Sequence, residues 1–319
     1  MRWFRPLAIL VVVGAVVAAG VVVGTGWLGD GEAASPWGPV PVPAAPAAGA
    51  VQTASGLVLP LVADRGDGTF DVRTPCDATA VAAGTVLAGA HVVLDPGHGG
   101  EEPGAVGENG LREADLNLDV VQRVAAILRD QGATVVLTRD ADVRVTVATR
   151  AALAVALQPE AFLSVHHNAA PEGPSTAPGT EAYFQVAAPE SRRLAGLVVE
   201  EIRAALAPFA TAWTSDADNG AKARVSADTP SQDYYGVLRE SAGVTAALVE
   251  AAYLSNPPEA ELLARDDVRQ AEAEALATAL LRFHLGEAAA DTAFSTAPPS
   301  TGASGTSGGT ADGCEDPPL

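Results

Sequence analysis

Positive charge is scarce in this 319-residue chain: 19 Lys and Arg stand against 39 Asp and Glu, and Lys222 is the single lysine. The net charge of −20 argues against nucleic acid or an anionic membrane surface as the main partner, since both would repel it. Cysteine is almost absent. Cys76 and Cys314 are too few and too far apart in sequence to form a cysteine metal site. A disulfide between them would need an oxidising compartment and a fixed position for Cys314, and the sequence leaves that pairing open. Aromatic residues make up only 5 %, yet 48 % of the chain is hydrophobic, so Val, Leu and Ala can still build a sizeable core.

One stretch lacks charge altogether. From Pro6 to Leu28 no ionisable side chain occurs, with Arg2 and Arg5 before it and Asp30 after it. Its length matches the roughly 20 apolar residues that span a bilayer and exceeds the roughly 7–15 of a cleaved signal core. Residues 1–29 are therefore read as a signal peptide or membrane anchor, with retention favoured and small residues around Ala18 and Ala19 permitting cleavage. Residues 30–55 read as a Pro/Ala-rich linker and 56–90 as a small β-containing lead-in with a turn at Gly66-Asp67-Gly68. Residues 91–286 form the main body; 287–319, rich in Ser, Thr, Gly and Pro, are expected to be disordered for want of anything to bury.

Within the body, strands and helices alternate. Strands are predicted at 91–95, 134–138, 161–165, 180–186 and 244–253, and helices at 113–131, 146–157, 189–206 and 257–285. Such alternation implies an α/β layered fold whose central sheet is mixed but largely parallel, flanked by helices.

The candidate chemistry gathers at the ends of these strands. His98 lies in Asp95-Pro96-Gly97-His98-Gly99-Gly100, where glycines let the backbone turn directly after a buried strand. Glu113 opens the next helix, a position that the helix dipole alone would favour for a carboxylate. His166 ends another strand in Ser164-Val165-His166-His167-Asn168, and the carboxyl ends of parallel strands converge on one crevice. Two imidazoles and a carboxylate leave a fourth tetrahedral position for water, the pattern of catalytic zinc sites. His167 competes with His166 for the ligand role, and strand alternation lets only one of them face the crevice. Glu250 follows the apolar run Val244–Val249, where an unpaired buried charge is costly unless it serves chemistry; a salt bridge to Arg239 is the structural alternative.

These residues, with Gly104-Ala105, Leu137-Thr138-Arg139-Asp140, Arg150, Gly179-Thr180-Glu181 and Leu254-Ser255-Asn256, resemble the zinc N-acetylmuramoyl-L-alanine amidases of bacterial cell separation and sporulation. The resemblance covers about residues 90–285. It implies hydrolysis of the amide bond between N-acetylmuramic acid and L-alanine in peptidoglycan, in the extracytoplasmic cell envelope. By the same resemblance His98, Glu113 and His166 hold Zn2+, and Glu250 is the catalytic acid/base. It also favours His166 over His167, since the family usually has a small residue where His167 stands. Asn168 and Arg239 border the expected crevice as candidate substrate-binding residues. Peptidoglycan is the implied partner and N-terminal membrane insertion is expected; the sequence leaves any activator unknown. The interval from His166 to Glu250 looks too short to hold an added blocking helix. Two other readings compete: a zinc peptidase acting within the stem peptide, and a non-catalytic wall-binding regulator, against which the presence of all four residues counts.

Overall fold

The computed structural model describes residues 35–42, 49–170, 179–209, 220–290, 294–300 and 313–319. The chain divides into Met1–Ala34 and Ser35–Leu319, and every described residue belongs to the second unit. The uncharged run Pro6–Leu28 lies outside the described residues, and among those no helix is long and apolar enough to cross a membrane.

The lead-in is a closed four-stranded barrel of β1 (Ala50–Thr53), β2 (Val58–Asp64), β3 (Thr69–Arg73) and β4 (Thr79–Leu87). Every adjacent pair is antiparallel. Inward alternation places Val51, Leu59, Phe70, Val72 and Ala82 in its small core. The barrel starts earlier than the sequence suggested. Its first strand falls in the stretch read as linker, because four residues are too few for a period to show.

The body is a seven-stranded sheet. Its strands are β5 (Val92–Pro96), β6 (Val135–Leu137), β7 (Ala161–Asn168), β8 (Glu181–Phe184), β9 (Ala221–Ser226), β10 (Ala246–Tyr253) and β11 (Phe294–Ser300). Their order is β11-β9-β8-β10-β7-β5-β6. All neighbouring pairs are parallel except β8 against β10. The helices are α1 (Glu113–Asp130), α2 (Val147–Leu157), α3 (Pro189–Leu206), α4 (Gly236–Glu240), α5 (Pro257–Leu263) and α6 (Asp266–His284).

Each strand alternates between two cores. On one face Leu94, Leu163, Val165 and Val249 pack with Leu116, Val120 and Val124 of α1 and with apolar residues of α3 and α6. On the other, Val93, Phe162, Tyr183 and Leu248 meet Leu153 and Leu157 of α2, Val237 and Leu238 of α4, and Ala50 of the barrel. Each fully buried Leu or Val contributes about 1.5–3 kcal/mol relative to exposure, so both faces are strongly specified. A one-residue slip of any strand would exchange them.

The tail departs from expectation. Phe294–Ser300 adds a parallel strand beside β9, with Phe294 stacked against Arg192 at 4.2 Å. Its composition hid it, since Pro298 and Pro299 are tolerated in a strand only at a sheet edge, which is where β11 lies. Farther on, Cys314 is joined to Cys76, and Asp316 Oδ1 accepts a hydrogen bond from the Cys76 amide at 2.8 Å.

Candidate active site

β5, β7 and β10 run parallel side by side, so the residues at their carboxyl ends meet. Directly after β5 the chain turns at His98, whose φ of +61° is one that L side chains rarely adopt. Two buried arginines hold that turn. Arg150 donates to the carbonyls of Pro96 and His98, each at 2.7 Å, and Arg139 to those of Pro96 and Gly97 at 2.9 and 2.8 Å. Arg150 also pairs with Asp95 at 2.6 Å, and Thr138 and Ser164 donate to the same carboxylate. Burial pushes the Asp95 carboxyl up, but Arg150 and the two hydroxyls outweigh it and keep the group ionised.

The predicted trio comes together. Glu113 Oε1 lies 3.2 Å from His98 Nε2 and 2.9 Å from His166 Nδ1, and one ligand atom from each residue falls within 4.8 Å of the others. All three side chains are buried. The spaces around them admit no extra carbon: a Cβ on Gly97 would strike the His166 ring. One on Gly104 would lie 2.5 Å from Glu113 Oε2 and 2.7 Å from His98 Cδ2. The second Glu113 oxygen accepts from the Ala105 amide at 2.8 Å. Burial would raise the Glu113 carboxyl, yet the charge of His98 and the hydrogen bond to His166 hold it well below the usual range; burial lowers His166.

Strand alternation separates the histidine pair. His167 faces the opposite core, with Nδ1 2.8 Å from Asn117 Oδ1 and Nε2 3.2 Å from the Glu272 carboxylate. Only its backbone touches the trio, through N–H to Glu113 Oε1 at 3.2 Å.

Beside His166, in register on β10, stands Glu250; beside Glu250, in register on β8, stands Glu181. The two carboxylates have opposite surroundings. Glu181 receives Lys222 Nζ at 2.7 Å, the Tyr183 hydroxyl at 2.5 Å, Asn168 Nδ2 at 3.3 Å and the Tyr253 hydroxyl at 3.4 Å. Glu250 is buried and its Oε2 has no hydrogen-bond partner among the described residues. Burial first, then the charges of Glu113 and Glu181, push its carboxyl well above the usual range. A carboxyl raised in this way can hold a proton where an ordinary glutamate has lost it.

The two expected substrate-binding residues fare differently. Asn168 joins the row through Glu181. Arg239 turns its Nη1 to the carbonyls of Asp233 and Tyr234 at 3.0 and 3.2 Å, and its Nη2 lies 3.7 Å from Glu240. No bond joins it to Glu250 among the described residues. Glu181, Lys222, Arg224 and Tyr235 lie on this side of the sheet as well; the sequence assigns none of them a role at the site, and β9, which carries Lys222 and Arg224, lacks the apolar pattern of a strand.

The model of the family described as N-acetylmuramoyl-L-alanine amidase matches residues 92–282. The chain belongs to the N-acetylmuramoyl-L-alanine amidase family. By that membership its reaction is hydrolysis of the amide bond between N-acetylmuramic acid and L-alanine in peptidoglycan. It is 32 % identical over 200 residues to the uncharacterized protein YqiI of Bacillus subtilis, covering 62 % of this chain and 86 % of that one. It is also 32 % identical over 208 residues to N-acetylmuramoyl-L-alanine amidase LytC of Bacillus subtilis, covering 64 % of this chain but only 38 % of LytC. An N-acetylmuramoyl-L-alanine amidase from Clostridium difficile 630 shares the fold, with a TM-score of 0.51 and 24 % identity over 61 % of this chain and 96 % of that one. The barrel and β11 lie outside the matched residues of the amidase family.

Proposed function

We propose that this amidase works with a single zinc ion held by His98, Glu113 and His166, and that Glu250 is its acid/base. The observation that carries the reading is the closeness of two imidazoles and a carboxylate, all buried, beside a carboxyl whose Oε2 has no hydrogen-bond partner among the described residues. The residues fit zinc: at metal–ligand lengths of about 2.0–2.1 Å, tetrahedral ligand atoms stand roughly 3.3 Å apart. The 3.2 and 2.9 Å separations of the trio are close to that spacing. Bound there, zinc would supply a Lewis acid for the scissile carbonyl and make a coordinated water acidic near neutral pH.

The protein's own groups do the rest. Arg139 and Arg150 fix the turn that presents His98, and Glu113 orients both imidazoles. Glu250 takes a proton from the attacking water and returns it to the departing L-alanine nitrogen. Asn168, positioned by Glu181, borders the crevice where glycan or peptide would lie.

The substrate places this activity outside the cytoplasmic membrane. Export and anchoring would be the task of residues 1–29, with Pro6–Leu28 as the membrane-inserting run. Digestion of purified peptidoglycan, followed by mass analysis, tests the reaction. The expected products are peptides with a free L-alanine amino group and intact glycan strands; cleavage within the stem peptide would instead identify a peptidase.

A further inference from the structure

Among the positive side chains on the crevice side of the sheet, most are already committed. Lys222 is paired with Glu181, Arg150 with Asp95, and Arg239 with carbonyls of its own turn. Arg224 on β9 is the exception. Among the described residues no carboxylate pairs with it, in a chain where acidic residues outnumber basic ones 39 to 19. Its Nη1 donates to the Tyr235 hydroxyl at 2.9 Å, its Nε is buried without a hydrogen-bond partner, and Nη2 has none among the described residues. Three aromatic rings surround it: the guanidinium carbon lies 5.1 Å from the centre of Tyr183, 5.4 Å from Tyr234 and 5.6 Å from Tyr235.

This guanidinium reaches the crevice through Tyr235. Tyr235, its hydrogen-bond partner, lines a small cavity together with Gly97, His98 and His166. Its positive charge also acts on Glu250. A guanidinium enclosed by aromatic rings, with Nε and Nη2 unused among the described residues, is pre-organised for a carboxylate.

Substrate chemistry limits which carboxylate that is. In the bond this family cuts, the lactyl carboxyl of muramic acid is consumed in the amide, so the glycan side carries no charge there. L-Alanine's own carboxyl is consumed in the next peptide bond. The nearest ionised group therefore sits on the second residue of the stem, which in peptidoglycan is an isoglutamate with a free α-carboxylate or its uncharged amide. We propose that Arg224 receives the α-carboxylate of the second stem residue, so that this amidase selects stems carrying free isoglutamate over amidated ones. The net charge of −20 makes one such cation useful, since the protein's field otherwise repels an acidic peptide.

The inference rests on the proposed amidase site, and the test separates the two. Binding of muramyl-L-alanyl-D-isoglutamate and of its isoglutamine counterpart is measured by calorimetry on the zinc-loaded full chain bearing Glu250→Gln, which prevents turnover. The acid is expected to bind roughly tenfold or more tightly than the amide, the scale of a lost charge-assisted hydrogen bond. Adding Arg224→Met, which keeps an apolar stem against the tyrosines, should erase that preference, and Arg224→Lys should retain part of it. Melting temperature and zinc content should match the parent; if Arg224→Met does not fold, Arg224→Lys decides, a partial loss supporting the assignment. An acid preference that survives either substitution in full, or a parent that shows none, overturns it. Failure of the wild-type chain to cleave either compound would count against the amidase reading alone, because the binding comparison stands without turnover.

Discussion

Glu250 and His166 are register partners across the parallel β7–β10 pair, so a carboxyl with one oxygen unbonded among the described residues stands next to one corner of the imidazole–carboxylate trio. The arrangement needs no loop to bring it about. Two neighbouring strands end at the same level, and alternation turns both side chains to the same face. The neighbouring Glu181 completes the contrast, being met by a lysine and three hydrogen-bond donors, while Glu250 Oε2 has no hydrogen-bond partner among the described residues. Burial and the neighbouring carboxylates leave Glu250 able to carry a proton where an ordinary glutamate has lost it.

Glu250→Gln should lower the rate of peptidoglycan cleavage by about 10²–10⁴-fold, the usual contribution of a general acid or base. Its shape is preserved and only the exchangeable proton site is removed, so zinc content and melting temperature should stay near wild type. A fully active variant would end the acid/base assignment. Loss of metal or of the fold would point to a ligand or structural role instead.

The histidine pair offers a second contrast, because one strand presents two chemically identical side chains to opposite cores. His166→Ala should lose about one equivalent of zinc on metal analysis. His167→Ala should keep it, since His167 contacts the trio only through its backbone amide. It should instead lower the melting temperature, as the buried Glu272 carboxylate and Asn117 each lose a partner. The reverse result would move the ligand role to His167.

Much of this site was legible in the sequence, for a definable reason. His98, Glu113, His166 and Glu250 each sit at the end of a strand or the start of a helix whose apolar period is clear, so the topology of an α/β sheet converges them. Glu113 is the first residue of α1, as its place before the run Leu116, Val120 and Val124 suggested. What escaped was the far half of the sheet. In Ala-Lys-Ala-Arg-Val-Ser of β9, the large side chains facing the crevice are charged and the buried ones are alanines, so the segment lacks the apolar signature of a strand. Lys222 and Arg224 therefore carry no sign in the sequence of belonging to the sheet, whereas Arg239 follows an apolar Val-Leu pair and stands out. The tail strand β11 and the Cys76–Cys314 bond depend on partners more than 70 residues away in sequence, which no local pattern reports.

Glu259 supplies a prediction about pH. It lies buried in α5 and accepts hydrogen bonds from the amides of Tyr253 at 2.6 Å and Gly179 at 3.0 Å. Those bonds favour its charged form, but burial dominates and pushes its carboxyl up to about 7. The folded state thus holds a proton that the unfolded chain, with an ordinary glutamate, releases at a lower pH. Linkage then sets the sign: Glu259's contribution to stability is fully present below the ordinary glutamate range near pH 4.5 and is lost as pH rises through about 7. Glu259→Gln, which cannot ionise, removes this dependence. Thermal melts of wild type and variant from pH 4.5 to 8 should show the wild type losing ground to the variant as pH increases, with the difference levelling off above neutrality. A difference that stays constant across the range, or that grows in the wild type's favour, would mean that Glu259 is already ionised in the fold and that its two amide donors outweigh its burial.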